Sequence, residues 1–194
     1  MSTHKALLLL SFALTACVSG PGTSGGPAPG GAPLGIGRPA TAAEIKGWDI
    51  DVDAEGRGLP PGRGTVAAGK AVYDARCASC HGATGTGGAA PALAGGIGTI
   101  ATKKPVRTVG SFWPYAPTVY DYINRAMPWD KPMTLTPDEV YAVTGYVLHL
   151  NKLVPADAVM DAKTLAAVRM PNRDGFVTPE REPEIRGVRC MSQC

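Results

Sequence analysis

The sequence predicts one all-α domain carried between long extended arms, and three observations point that way. Thr65 is a good helix N-cap, and Val66 to Arg76 after it form an uninterrupted helical run. Thr136-Pro137-Asp138-Glu139 is a capping box with Pro at the first helical position, and it opens a second, more apolar run that reaches Asn151. Outside these runs the chain is loop-like: among 194 residues there are 25 Gly and 18 Pro, and aromatics make up only 6%. That length holds one domain of ordinary size plus tails. The formal charge of +3, with Lys and Arg dispersed, excludes a nucleic-acid footprint and gives no case for an anionic surface as partner. Five cysteines are an odd number, so at least one has a fate other than an internal disulfide.

Residues 1–16 have the layout of a secretory signal: Lys5, the apolar run Ala6 to Leu14, then Thr15-Ala16 before Cys17. The apolar run is too short to span a bilayer. Leu14-Thr15-Ala16-Cys17 resembles a bacterial lipobox, which implies that Cys17 becomes the lipidated first residue; cleavage near Ala16 with Cys17 left free is the alternative. By the same resemblance, Val18 in place of an Asp implies the inner leaflet of the outer membrane. Residues 17–40 are Gly, Pro, Ser, Thr and Ala with almost nothing able to form a core, and read as a disordered tether. Membrane contact is then through the N-terminal lipid alone.

Order is expected from Thr41, and residues 41–63 read as an extended arm with Trp48, Ile50 and Val52 on one face. The acids at alternate positions from Asp49 do not make a calcium loop. Counting from Asp49 the required Gly falls on Ala54, and counting from Asp51 the bidentate acid falls on Gly62. Leu59-Pro60-Pro61-Gly62 ends the arm in a rigid turn.

The body of the domain is expected over residues 64–153. Its first helix runs into Cys77-Ala78-Ser79-Cys80-His81, two thiols two residues apart with a histidine after the second. In an exported chain that is the attachment signature of c-type haem: Cys77 and Cys80 form thioethers, and His81, on the turn that follows, reaches the iron. A thioredoxin-like dithiol would need a βαβ context, which a helix before and a Gly-rich run after do not supply. Zinc would need a fourth ligand, and the other cysteines lie at the ends of the chain. A Cys77–Cys80 disulfide would leave His81 without a role. Gly82 to Gly88 is too Gly-rich for regular structure, and as a phosphate loop it lacks both a preceding strand and a following Lys-Ser/Thr. Gly69 and Tyr73 share a face of the first helix, and a mid-helix Gly commonly marks a second helix crossing close by.

Beyond the motif, Lys103, Lys104 and Arg107 read as a solvated turn, with docking of an acidic partner as the alternative. Phe112-Trp113-Pro114-Tyr115 is an aromatic cluster suited to cover one porphyrin face. A helix capped by Thr118 or Ala116 follows, and it stops at Met127-Pro128. Met127 is the leading candidate for the sixth iron ligand, with Met170, Met133, Met160 and His149 as alternatives; a thioether stabilises ferrous iron and suits an electron carrier. Residues 154–194 form a C-terminal extension with one more short helix over Met160–Leu165. The chain ends Cys190-Met191-Ser192-Gln193-Cys194, for which a disulfide between Cys190 and Cys194 is the preferred reading in an oxidising compartment.

Cys-x-x-Cys-His-Gly followed by a Gly-rich loop and Pro91-Ala92-Leu93 resembles the proximal side of class I cytochromes c. The resemblance implies three to five helices around one covalent haem c and a Pro91 carbonyl that accepts the hydrogen bond of His81. It also places the ligand methionine in a Met-Pro pair before the C-terminal helix, as Met127 stands, and sets Val143 and Tyr146 across from Gly69 and Tyr73. Gly47-Trp48-Asp49-Ile50-Asp51-Val52, Trp113-Pro114-Tyr115-Ala116, Tyr122-Ile123-Asn124-Arg125-Ala126-Met127-Pro128-Trp129, Asp138-Glu139-Val140-Tyr141-Ala142-Val143 and Met170-Pro171-Asn172-Arg173-Asp174-Gly175-Phe176 together resemble the cytochrome c subunit of bacterial molybdenum sulfite and sulfane dehydrogenases. The similarity spans Trp48 to Phe176. It implies a periplasmic electron carrier that accepts single electrons from a molybdenum-containing dehydrogenase subunit and passes them to a downstream cytochrome or oxidase. A free-standing shuttle, and a peroxidase-like haem enzyme with an open iron, are the alternatives.

Overall fold

The computed structural model describes residues 37–177; the expectations for Cys17, Cys190 and Cys194 fall outside them. Residues 37–41 carry no regular element, and the compact unit begins at Ala42. In chain order its elements are α1 (Ala42–Trp48), β1 (Arg63–Thr65), α2 (Val66–Arg76), α3 (Ala78–His81), α4 (Val109–Phe112), α5 (Ala116–Ala126), α6 (Pro137–Leu150), β2 (Val159–Asp161) and α7 (Ala162–Ala166). Among the described residues no helix is long and apolar enough to cross a membrane.

The centre of the fold is α6. Thr136 Oγ1 accepts from the Glu139 amide while the Glu139 carboxylate accepts from the Thr136 amide, closing the capping box read from sequence. Every side chain from Val140 to Leu148 is buried, so α6 is covered on all sides. Replacing Thr136 by Ala leaves the first turn without its side-chain acceptor and is expected to cost about 1 kcal/mol, read as a lower denaturation midpoint at unchanged slope.

Against α6 lies α2, capped by Thr65, whose Oγ1 accepts from the Ala68 amide at 3.1 Å. The two helices cross at Gly69, where a Cβ would overlap the carbonyl of Ala142 and crowd Tyr146. Ala142, one residue before Val143, is therefore what meets the glycine. Tyr73 does meet Tyr146, with ring centroids 5.2 Å apart and tilted by 56°. Gly69→Ala is expected to destabilise by about 1–3 kcal/mol despite alanine's better helix propensity, because the backbones must separate; chemical denaturation checks it. On another side of α6, Tyr120 of α5 packs on Tyr141 with centroids 4.5 Å apart.

Three expectations about local structure are corrected, and one pairing is added. Residues 41–63 are not extended throughout: Ala42 to Lys46 are mostly good helix formers and α1 forms there, leaving Trp48 86% exposed while Val52 is buried. A two-stranded antiparallel ribbon joins the arm to the C-terminal extension, with Arg63, Gly64 and Thr65 opposite Asp161, Met160 and Val159. The stretch Met160–Leu165 is accordingly the end of β2 followed by α7, because the Asp161 side chain accepts from the Lys163 and Thr164 amides and starts the helix at Ala162, two residues later than expected. These bonds, with the one from the Thr164 hydroxyl, hold the Asp161 carboxyl below its ordinary pKa. Finally, α5 has Tyr115 as its N-cap, with Ala116 and Pro117 as its first two residues; Thr118 lies inside the first turn and donates to the Tyr115 carbonyl.

Candidate haem site

Helix α2 ends on the cysteine motif. Cys77 is at once the C-cap of α2, its amide donating to the Tyr73 carbonyl at 2.8 Å, and the N-cap of α3. Its carbonyl then accepts from the amides of Cys80 and His81 at 3.1 and 3.0 Å. That single helical turn brings the two cysteines near each other on one side of the chain. Neither thiol is in a disulfide; Cys77 is half-buried and Cys80 exposed. Burial, with a smaller push from Cys80, raises the Cys77 thiol to about 11.

Beyond His81 the chain must reverse within a few residues. Gly82 does this at φ +79°, a conformation closed to most side chains, and a Cβ there would overlap the carbonyl of Thr86. The Tyr73 hydroxyl donates to the Gly82 carbonyl at 2.8 Å, and burial followed by Cys77 raises that phenol to about 12, so it stays a donor. The loop then returns to the motif, where the Ala90 amide donates to the Cys80 carbonyl at 2.8 Å. This sets the Pro91 carbonyl 2.9 Å from His81 Nδ1. A carbonyl can only accept, so Nδ1 carries the proton and the lone pair is on Nε2, the nitrogen left for a metal.

Helix α5 ends at Met127, its C-cap, half-buried and joined to Pro128 by a cis peptide bond. Met170 is 1% exposed and Met160 is 4% exposed, both inside the apolar core. Met133 is 59% exposed. His149 is half-buried on α6 with Nδ1 3.0 Å from the Val154 carbonyl. The aromatic stretch 112–115 divides rather than forming one wall. Trp113 stacks edge-on with Tyr122 at 5.6 Å and lines an open cleft of about 370 Å³ with Thr118, Asp121, Arg125 and Ala126. Phe112 instead packs on Phe176 under the Arg107 guanidinium, and Tyr115 lies under Arg173.

Two groups of residues at the site were not singled out by sequence. Arg125 pairs with the buried Asp121 and, at 3.2 Å, with Asp51, tying the arm to α5 two residues before Met127. The i, i+4 spacing of Asp121 and Arg125 was the available signal. Asn151, which sequence marks only as the end of α6, is buried beneath the loop that carries Pro91.

Two unpaired thiols on one helical turn and an adjacent imidazole with Nε2 free to coordinate are the donor set that covalent haem c requires. Residues 66–151 match the family model for cytochrome c. A comparison with curated proteins finds no match. Among solved structures the chain is similar to one from the crystal structure of the sulfane dehydrogenase SoxCD from Paracoccus pantotrophus. The two are 42% identical with a TM-score of 0.73, over 84% of this chain and 82% of that one. With the thiol pair and the oriented imidazole in place, the chain belongs to the cytochrome c family, in the branch formed by the cytochrome c subunits of sulfur-compound dehydrogenases, and is an electron-transfer protein that carries covalent haem c.

Proposed function

We propose that this chain is the electron-accepting subunit of a periplasmic molybdenum sulfite or sulfane dehydrogenase, itself without catalytic activity on the sulfur compound. The observation that carries the reading is the 42% identity to the sulfane dehydrogenase structure over 84% of the chain. When bound, the haem supplies a one-electron iron couple. The chain's own residues set how that couple behaves: Cys77 and Cys80 hold the group by thioethers, His81 gives Nε2 to the iron, and Pro91 fixes the imidazole plane and raises its basicity.

Met127 would supply the iron's second protein ligand through its thioether. Its position supports this, since it is half-buried at the end of α5 and follows Ala126, which lines the cleft, whereas Met170 and Met160 are enclosed in the core and Met133 is largely exposed. A thioether there favours ferrous iron and fills the coordination shell, which suits transfer over catalysis. The mature protein is tethered through lipidated Cys17 to the inner leaflet of the outer membrane, and it passes electrons on to a downstream cytochrome or oxidase.

Copurification tests the assignment. The affinity-tagged mature protein, isolated from its own cells under mild conditions, is expected to bring down a second polypeptide containing stoichiometric molybdenum. Isolation of the haem protein alone, with no molybdenum in any fraction, would replace the subunit reading by that of a free shuttle. Membrane partition tests the tether: Cys17→Ala behind a replacement signal peptide should release the protein into the soluble periplasm, and a wild-type protein already wholly soluble would remove the lipid.

A further inference from the structure

From the hydrogen bonds around Asn151 we infer that this residue is the positioning residue of the proximal side, fixing the His81 imidazole through the loop that carries Pro91. The inference rests on the haem reading above and concerns only how the chain sets the ligand.

Asn151 is 4% exposed at the C-cap of α6, and both the oxygen and the nitrogen of its side-chain amide are hydrogen-bonded. Oδ1 accepts from the Gly95 amide at 3.1 Å. Nδ2 donates to the carbonyls of Leu93 and Val147, each at 2.9 Å. One bond returns to α6, and two go to a loop far away in sequence. An asparagine whose sole task was to end the helix would need only the first.

The loop it grips begins at the iron ligand's partner. On its near side the Ala90 amide is held by the Cys80 carbonyl, so residue 90 is fixed to the motif itself. On its far side Leu93 and Gly95 are held by Asn151, the Gly95 carbonyl accepts from the Thr108 hydroxyl at 2.6 Å, and the Leu93 carbonyl also accepts from the Val109 amide at 3.2 Å. Pro91, which has no amide hydrogen of its own and is exposed, hangs between these two anchors. Its carbonyl direction, and with it the His81 ring plane, is therefore set by residues on either side. Gly110 lets Asn151 into this position: a Cβ at Gly110 would overlap Oδ1. With Asn151 removed, Leu93 retains Val109 at its carbonyl and Gly85 at its amide, and the Gly95 carbonyl retains Thr108, but the Gly95 amide is left without its acceptor and the tie from this side of the loop to α6 is lost.

A looser anchor weakens the bond from His81 Nδ1–H to Pro91, which makes the imidazole a poorer donor and disfavours ferric iron. The test compares Asn151→Ala with Asn151→Ser in the haem-loaded protein. A Ser hydroxyl at this position can bond back to the Val147 carbonyl one turn earlier but is too short to reach the loop. A residue that matters only to the helix end would be rescued by Ser; a residue that grips the loop would not. Both variants are expected to raise the redox equilibrium toward the ferrous state by about tenfold, equal to 59 mV for one electron, and to change the pattern of haem-methyl shifts in the ferric NMR spectrum. Asn172→Ala, which removes a comparable bond to the Phe112 carbonyl elsewhere, should leave both unchanged. Lowered stability with wild-type potential and wild-type methyl shifts in the Asn151 variants would overturn the inference, as would full rescue by Ser. Should neither variant accumulate, hydrogen exchange on the wild-type protein decides: the Gly95 amide is expected to be as protected as the α6 amides, and rapid exchange there would refute the clamp. A failure of these tests leaves the cytochrome assignment standing, since none of them depends on the partner.

Discussion

Cys77→Ala and Cys80→Ala are each expected to yield protein with little or no stably attached haem, and the double variant none at all. The two thiols are the sole covalent anchors, and the structure offers no replacement: Cys77 and Cys80 are the free cysteines among the described residues. Without the thioethers, the haem would be held only by coordination bonds, that of the half-buried His81 and that of Met127. The loss should extend to folding, because a chain without the porphyrin forgoes the apolar burial that the group would supply, at about 25 cal/mol per Å². Haem stain on a denaturing gel, with circular dichroism of the same samples, measures both effects. A fully loaded double variant would end the reading of Cys77-Ala78-Ser79-Cys80-His81 as an attachment site.

Met127→Ala should have the next largest effect. With the sixth position filled by a thioether, the wild-type protein is expected to bind neither carbon monoxide nor peroxide readily. The variant should bind carbon monoxide in its ferrous form, lose the methionine-to-iron charge-transfer band of its ferric spectrum and shift its potential downward, because ferrous iron loses the ligand that favoured it. Met170→Ala should keep the band and instead be destabilised by about 2–5 kcal/mol, since Met170 is 1% exposed in the apolar core and its truncation leaves a cavity. The pair of variants thus separates a ligand from a core side chain. If the band persisted in Met127→Ala, Met170 would be the next methionine to examine.

The parts of this fold that could be read from sequence are those specified by neighbouring residues. The caps Thr65 and Thr136 locate the starts of α2 and α6, and Met127-Pro128 locates the end of α5. The haem motif is legible because its chemistry is compressed into five adjacent residues, and the Pro91 carbonyl because a family resemblance supplies it. Most of what sequence did not show depends on residues far apart. The strands β1 and β2 have three residues each, too few for a period of two to stand out, and they exist because Gly64 lets the ribbon lie close on Ala142 of α6. Helix α4 is a single capped turn, with Thr108 and Ser111 as its box, hidden in a stretch read for its aromatics. Asn151 carries no mark in sequence beyond its place after an apolar run, and its role follows from α6 and a distant loop meeting at one amide. Helix α1 was obscured by the alternating acids just after it, although Ala42-Ala43-Glu44-Ile45-Lys46 is helical in propensity.

The most direct test of the account is rapid mixing of the oxidised, haem-loaded protein with sulfite or a sulfane-sulfur substrate, in the presence and absence of the purified molybdenum subunit, while the haem spectrum is followed. The account predicts no reduction by the substrate alone and complete reduction, one electron per haem, when the molybdenum protein is added at catalytic amounts. Reduction by the sulfur compound without that protein would make the chain itself an enzyme, and no reduction in its presence would contradict the assignment of this cytochrome as its electron acceptor.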